Sequence, residues 1–194
     1  MSQLVFVRHG QTEANRNGVL LGRLDPELND VGREQAAAVA ARVAPLGPAR
    51  IVTSPLVRAV ATAGIVAEAC ALGVVDVDDR LIEVDYGEYD GLPLAELPPE
   101  LVWKWRNEAD FAPPGGESLM SVGKRMGEFT SEVLDSLEAG PLVAVSHVSP
   151  IKAAVLWALG LPDLYAWRLR LDNASVTRLA PGPDGPVLLS FNER

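Results

Sequence analysis

The chain has 194 residues, of which 48% are hydrophobic and 22% charged, a composition typical of a folded protein with a full core. Its net charge of -9 argues against a nucleic-acid partner, which needs a basic surface. No apolar run approaches the roughly 20 residues of a membrane span, and no basic region marks a signal peptide, so no membrane association is expected. The single cysteine is typical of a reducing compartment, which predicts a cytoplasmic location.

Apolar runs that alternate with helical patterns predict the order of strands and helices. The first apolar run, "LVFV", leads directly into Arg8 and His9. The predicted strands cover 4–7, 50–54, 74–78 and 141–146, with a closing hairpin of 174–180 and 186–192. The predicted helices cover 28–44, 54–71, 100–108, 118–137 and 149–160.

Short polar residues mark the expected helix starts. Asn29 or Asp30 is expected to cap the first helix. Ser54 and Ser149 each precede a proline, which predicts a serine N-cap followed by proline at the first helical position. These signals fix where three of the helices should begin.

The alternation predicts an α/β fold, a three-layer α/β/α sandwich with a mostly parallel sheet of about six strands and one antiparallel edge strand. We expect a single domain over 1–194, with the irregular, Pro- and Gly-rich segment around 80–117 as a lid-like insertion. In such sheets ligands bind outside the carboxyl ends of the strands. Functional residues should therefore be sought directly after each strand.

The two histidines of the chain both follow a predicted strand, His9 after the first and His147 after the fourth. Gly10 lets the backbone turn sharply or approach a ligand closely. Arg8 precedes His9, and a guanidinium suits the oxygens of a phosphate or carboxylate. The helix start after His147 favours an anion. The strand ends therefore predict an anion pocket that contains a nucleophile.

Further candidates come from the second helix and the middle segment. Arg58 lies about one turn inside its helix, near the carboxyl end of the second strand. The segment "LIEVDYGEYDG" supplies four acidic residues, of which Glu83 stands between two apolar residues. A carboxyl in such surroundings keeps its proton longer and can act as a general acid.

This inventory fits phosphoryl transfer. The chain has no Walker loop, no G-x-G-x-x-G and no G-x-S-x-G elbow, which argues against a nucleotide-binding ATPase and a serine hydrolase. Two histidines and one cysteine cannot build a His/Cys zinc site, so no metal is expected.

Six segments in order resemble the histidine phosphatase superfamily, the phosphoglycerate-mutase-like enzymes, over almost the whole chain. They are "VRHGQTEAN", "LLGRLDPELNDVGREQA", "VTSPLVRAVATA", "LIEVDYGEYDG", "PPGGES" and "VAVSHVSPIKA". The resemblance implies a phosphatase that hydrolyses small phosphomonoesters through a phosphohistidine. It implies His9 as the nucleophile, Arg8, Arg58 and His147 as ligands of the phosphoryl oxygens, and Glu83 as the acid that protonates the leaving oxygen.

The resemblance also implies a wider binding set and no cofactor. Asn15 would contact phosphate, and Gln11, Thr12 and Gly22 would line the pocket. No metal is required, because the arginines supply the positive charge. The partner would be a small phosphorylated metabolite, and a homodimer is compatible with base rates for soluble proteins.

The chain departs from the family after the second histidine. Many relatives carry two glycines there, whereas this chain has Val148 and Ser149. Val148 keeps its backbone N–H, through which it is still expected to bind phosphate. Lys152 stands where arginine is common, so the substrates of glycine-containing relatives do not transfer directly.

Two other functions remain open. A bisphosphoglycerate-dependent phosphoglycerate mutase would carry a longer insertion rich in aromatic and basic residues after the acid segment, whereas this region is short and acidic. A non-catalytic pseudo-phosphatase would bind a phospholigand or partner without turnover.

The leaving group is expected to meet 80–117 and 20–25. The candidate contacts there are Trp103, Trp105, Arg106 and Phe111, although tryptophans at such positions can also simply pack this segment onto the core.

Overall fold

The computed structural model describes residues 2–137 and 140–194. Six strands form one sheet in the order β3-β2-β4-β1-β5-β6. The first four strands pair in parallel, and β5 runs antiparallel to both β1 and β6. The strands are β1 Leu4–Arg8, β2 Arg50–Thr53, β3 Asp76–Val77, β4 Leu142–Ser146, β5 Val176–Ala180 and β6 Val187–Glu193.

The described residues form six α-helices, four of which cover the sheet. They are α1 Glu13–Arg16, α2 Asp30–Val43, α3 Val57–Ala69, α4 Pro99–Asn107, α5 Leu119–Asp135 and α6 Val148–Ala158. Asn29 caps α2 by accepting a hydrogen bond from the Gly32 N–H, as the sequence predicts. Among the described residues no helix is long and apolar enough to cross a membrane.

Successive residues of the central strands point to opposite faces of the sheet, and each face is covered by two helices. Leu4 and Phe6 of β1 pack into one apolar cluster with α5 and α6. Val5 and Val7 pack into a second cluster with α2 and α3. The predicted three-layer α/β/α sandwich is confirmed, and its antiparallel part is the β5–β6 edge pair.

Both helix starts predicted at serine are wrong. Helix α3 begins at Val57 with Leu56 as its N-cap, and the Ser54 hydroxyl contacts the ring of His147. Helix α6 begins at Val148, so Ser149 lies inside its first turn. The first N–H groups of α6 are bonded by a carboxylate from elsewhere in the chain, which replaces the expected serine cap.

The segment 80–117 contains short 3-10 turns and the helix α4. Leu97, Leu101 and Trp105 form a small apolar cluster of their own, which packs against Tyr86 and Leu20. The segment is therefore held by contacts with the loop that follows α1, at the carboxyl edge of the sheet.

Candidate active site

The two histidines meet at the carboxyl edge because β1 and β4 are parallel neighbours. Arg8, the last residue of β1, is in register with Ser146, the last residue of β4. His9 and His147 follow directly, and their ring centroids are 4.9 Å apart. Both rings are buried. The structure thus brings together the two residues that the sequence placed after separate strands.

His9 is held in one tautomer by its neighbour. Its Nδ1 lies 2.7 Å from the Gly10 carbonyl oxygen, which can only accept, so Nδ1 carries the proton and Nε2 keeps a free lone pair. Burial, together with the charges of Arg8 and Arg58, holds the pKa of His9 well below its usual value. A neutral imidazole with a free Nε2 is the form that can act as a nucleophile.

No residue with a side chain fits at the position of Gly10. A Cβ there would lie 2.2 Å from the carbonyl oxygen of Gly32, at the start of α2. The Gly10 N–H also donates to the Thr62 hydroxyl of α3 over 3.1 Å. The turn that presents His9 is therefore fixed by two helices on the same face of the sheet.

His147 is oriented by Ser54, which the sequence analysis did not assign to the site. The Ser54 hydroxyl lies 2.7 Å from Nε2 of His147. That hydroxyl already accepts a 3.4 Å bond from the Leu56 N–H, so its own proton can be donated to Nε2. The imidazole proton then resides on Nδ1, which is buried and has no partner among the described residues. An anion beside His9 would supply that partner.

The two arginines are anchored by backbone carbonyls, which leaves part of each guanidinium free. Arg58 is fully buried and donates to the carbonyls of Leu24 and Gly22 over 2.8 and 2.9 Å. Arg8 donates to the carbonyl of Leu171 over 2.7 Å. The Nε of each arginine is buried without a partner among the described residues. Buried unpaired donors are rare in folded proteins, which indicates a ligand-binding site.

The positive charge of the site persists at neutral pH. Burial lowers the pKa of Arg8 to about 10, although the charge of Glu83 opposes this shift. Burial also lowers the pKa of Arg58, opposed by Glu83 and Asp25. Arginine side chains stay protonated in proteins at neutral pH, so both positive charges remain near His9, where they can stabilise a phosphoryl group.

Gly22 acts through its backbone. Its carbonyl holds Arg58, and its N–H donates to Asp90 over 2.7 Å. A Cβ at Gly22 would lie 2.6 Å from the Val84 carbonyl oxygen. Asp90 also accepts from the next two N–H groups of this loop, so this acidic candidate has a structural role.

Glu83 is almost completely buried, and its carboxylate lies at the N-terminus of α6. It accepts from the N–H groups of Val84 (2.8 Å), Val148 (3.1 Å) and Ser149 (3.2 Å). In this structure the carboxylate occupies the Val148 N–H that the sequence analysis expects to bind phosphate, and that binding stays a prediction. The helix N-terminus holds the candidate acid instead, next to His147.

Most polar side-chain groups of the loop after β1 are bonded to neighbouring residues. The buried Thr12 hydroxyl caps α1 by accepting from the Asn15 N–H. The Gln11 side-chain oxygen accepts from Asn29. The Asn15 side-chain oxygen accepts from the Thr12 N–H and from Asn173, so the oxygen is occupied by neighbouring donors. The Asn15 amide nitrogen, in contrast, makes no hydrogen bond among the described residues, so the expected contact of Asn15 with phosphate would be made by this group.

A small cavity of about 90 Å³ lies beside Glu83. Trp105 lines it, whereas Trp103 is 59% exposed and lies outside it, as do Arg106 and Phe111. Trp105 is also buried in the apolar cluster with Leu97 and Leu101, so the same side chain packs this segment and lines the cavity. The cavity is lined by Val84, Tyr86, Trp105, Leu119, Val148, Ser149, Lys152, Ala166 and Trp167.

The fold and site define an α/β protein in which two buried arginines lie near a buried imidazole whose Nε2 is free. No group of three or more His, Cys, Asp or Glu that could hold a metal occurs in the part of the chain that the structure describes. The sequence profile of the histidine phosphatase superfamily (branch 1) matches residues 4–194. The chain belongs to this superfamily.

Several relatives resemble the chain over most of its length. It is 38% identical to a glucosyl-3-phosphoglycerate phosphatase of Mycolicibacterium vanbaalenii, over 92% of this chain and 84% of that protein. It is 36% identical to a probable phosphoglycerate mutase of Yersinia enterocolitica, over 92% and 85%. The structure also resembles that of a phosphoserine phosphatase from Entamoeba histolytica in complex with 3-phosphoglyceric acid, with a TM-score of 0.91 and 29% sequence identity. The match covers 100% of this chain and 98% of that chain.

The chain spans about half the length of other curated relatives. One is a bifunctional protein of Mycobacterium tuberculosis, 41% identical over 91% of this chain but only 49% of that protein. The match therefore covers one part of a longer relative.

Proposed function

We propose that this chain is a metal-independent phosphatase that hydrolyses small phosphomonoesters through a phosphohistidine at His9. The observation that carries the proposal is the set of buried donors without partners, Arg8 Nε, Arg58 Nε and His147 Nδ1, around an imidazole whose Nε2 is free. A phosphoryl group offers oxygens to the three donors and a phosphorus to the nucleophile.

In the first step, the lone pair of His9 Nε2 attacks phosphorus while the bond from phosphorus to the leaving oxygen breaks. The electron pair of that bond goes to the leaving oxygen, which takes a proton from Glu83. In the first turnover this proton reaches Glu83 from the substrate's monoanion or from solvent, and the second step returns it for the next turnover.

In the second step, water attacks the phosphoryl group on His9. The Glu83 carboxylate, ionised by the first step, accepts a proton from this water as its oxygen bonds to phosphorus. The bond from phosphorus to Nε2 breaks, its electron pair returns to the imidazole, and inorganic phosphate leaves. Arg8, Arg58 and the His147 Nδ1–H stabilise the charge on the phosphoryl oxygens throughout.

The test is hydrolysis of p-nitrophenyl phosphate in the presence of EDTA, with His9→Ala as the variant and exposed Lys124→Met as the control. We expect EDTA to leave the rate unchanged, His9→Ala to lower it by about 10⁴-fold or more, and Lys124→Met to match the unmodified protein. Absence of phosphate release, or full activity of His9→Ala, would overturn the proposal.

A mutase is the second candidate, because one relative bears that name. A mutase must hold the second phosphate of a bisphosphate, which requires cationic side chains. Among the described residues, Lys152 is the only lysine or arginine that lines the cavity beside Glu83. Interconversion of 3- and 2-phosphoglycerate with the bisphosphate primer would establish a mutase. Tight phosphate binding without turnover would instead establish a binding protein.

Three further expectations belong to the same proposal. The physiological partner is a small phosphorylated metabolite, 80–117 acts as a lid over its leaving group, and the chain is a cytoplasmic homodimer. Light scattering tests the dimer, and cell fractionation tests the location.

A further inference from the structure

Lys152 is a half-buried cation for which the site already described has no use. It lies on α6, four residues after Val148, so the two side chains share one face of the helix. It makes no hydrogen bond or ion pair with any residue in the described ranges 2–137 and 140–194. Burial lowers the pKa of Lys152, which indicates that its ammonium group is incompletely hydrated.

The surroundings of Lys152 form a shaped pocket. Lys152 is the only charged residue lining the cavity beside Glu83, within the part of the chain that the structure covers. Tyr86 and Trp105 meet edge to face with centroids 5.4 Å apart, and the Trp167 indole N–H donates to the Trp105 carbonyl over 2.8 Å. The aromatic walls are thus fixed by contacts with each other, and they surround one compact positive charge.

The cavity lies where the leaving group must be. A general acid acts within hydrogen-bond distance of the atom it protonates, so the leaving oxygen lies next to the Glu83 carboxylate. Val84, Val148 and Ser149, whose N–H groups hold that carboxylate, all line the cavity. A substrate with its phosphoryl group at His9 therefore extends its leaving group toward Lys152.

We propose that Lys152 binds a carboxylate on the leaving group, so that the preferred substrates are phosphomonoesters of small hydroxy acids. The inference rests on the phosphatase function proposed above and names its substrate class. An ammonium is a compact charge that pairs with a single carboxylate oxygen, and the apolar walls strengthen the pairing by excluding water. A cavity of about 90 Å³ with one cation in its lining suits a small leaving group that carries a single carboxylate.

The test compares two esters that differ only in the carboxylate, 3-phosphoglycerate and glycerol 3-phosphate. We expect kcat/KM of the unmodified protein to be at least tenfold higher for 3-phosphoglycerate. Lys152→Met should bring the ratio of the two kcat/KM values close to one, mainly through KM for 3-phosphoglycerate, and Lys152→Arg should restore a preference. Lys124→Met, which changes an exposed lysine of α5, is the matched control and should keep the original ratio.

A preference for glycerol 3-phosphate, equal use of both esters, or an unchanged ratio in Lys152→Met would overturn the inference while leaving the phosphatase function intact. A second measurement separates the two proposals. Calorimetric binding of both esters to His9→Ala requires no turnover, and we expect tighter binding of 3-phosphoglycerate. Such binding without hydrolysis by the unmodified protein would contradict the phosphatase function alone, and equal binding would contradict the role of Lys152.

Discussion

The two ends of the site are built in different ways. At the phosphoryl end, His9 and His147 follow central strands, and their rings are oriented by a backbone carbonyl and a buried hydroxyl. At the leaving-group end, the walls come from the irregular segment that holds Trp105, from the turn that holds Trp167, and from α6. The first end is determined by the central strands, whereas the second takes most of its walls from segments outside the sheet, with α6 as the exception that packs on it. Chemistry and selectivity are therefore separable in this molecule.

Glu83 lies at the boundary of the two ends. Among the replacements considered, that of Glu83 should produce the largest difference in rate between one substrate and another. Glu83→Gln removes the proton donor, so we expect the rate on alkyl phosphates to fall by about 10²–10⁴-fold and the rate on p-nitrophenyl phosphate to fall much less. Steady-state rates on both esters provide the check. Glu88→Gln, at an exposed acidic residue of the same segment, is the control. Equal slowing of both esters would remove Glu83 from the acid role.

Arg58 belongs wholly to the phosphoryl end, so its loss should affect all esters alike. Arg58→Ala removes a charge next to the phosphoryl oxygens, and we expect kcat/KM to fall by about 10²–10³-fold with a parallel weakening of inhibition by phosphate. Arg33→Ala, which changes an exposed arginine of α2, should leave both unchanged. Circular dichroism would verify folding, since Arg58 is buried. An unaltered inhibition constant for phosphate would place Arg58 outside the pocket.

The two tryptophans of α4 test the leaving-group end. Trp105 is 2% exposed and Trp103 is 59% exposed. Trp105→Ala should lower the free energy of unfolding by about 3 kcal/mol because it empties a packed cluster. It should also change KM for the preferred ester more than kcat. Trp103→Ala should change the free energy of unfolding by less than about 0.5 kcal/mol. Urea denaturation measures both free energies, and equal values would contradict the difference in burial. Steady-state kinetics measures KM, and an unchanged KM in Trp105→Ala would contradict the assignment of Trp105 to the pocket wall.

A further expected effect is on stability as a function of pH. The folded protein holds the pKa of both His9 and His147 well below 6.5, mainly through burial, so the unfolded chain binds more protons below that pH. The free energy of unfolding should therefore fall as the pH decreases from about 6.5 to 5, by up to about 1.4 kcal/mol per pH unit for each histidine. His9→Gln should reduce the slope. A flat profile in urea titrations across this range would contradict neutral buried histidines.

The sequence predicted that His9 and His147 lie at one edge of the sheet, because the apolar runs before them mark buried strands and parallel neighbours bring their ends together. It did not predict Ser54 as the partner of His147, which lies 93 residues away in the chain. It also misplaced the start of α6, because the group that satisfies the first N–H groups is Glu83 rather than a local serine. Such contacts depend on how distant segments pack, and local sequence patterns carry no information about them.

The central claim is that His9 carries the phosphoryl group during turnover. The most direct measurement is rapid mixing with a slowly hydrolysed phosphomonoester, an alkaline quench that preserves phosphohistidine, and mass spectrometry of the peptide that contains residues 4–18. The account predicts one phosphoryl group on His9 that is lost in acid, and none in His9→Ala. Full turnover without a phosphorylated His9, or a phosphoryl group on another residue, would contradict it.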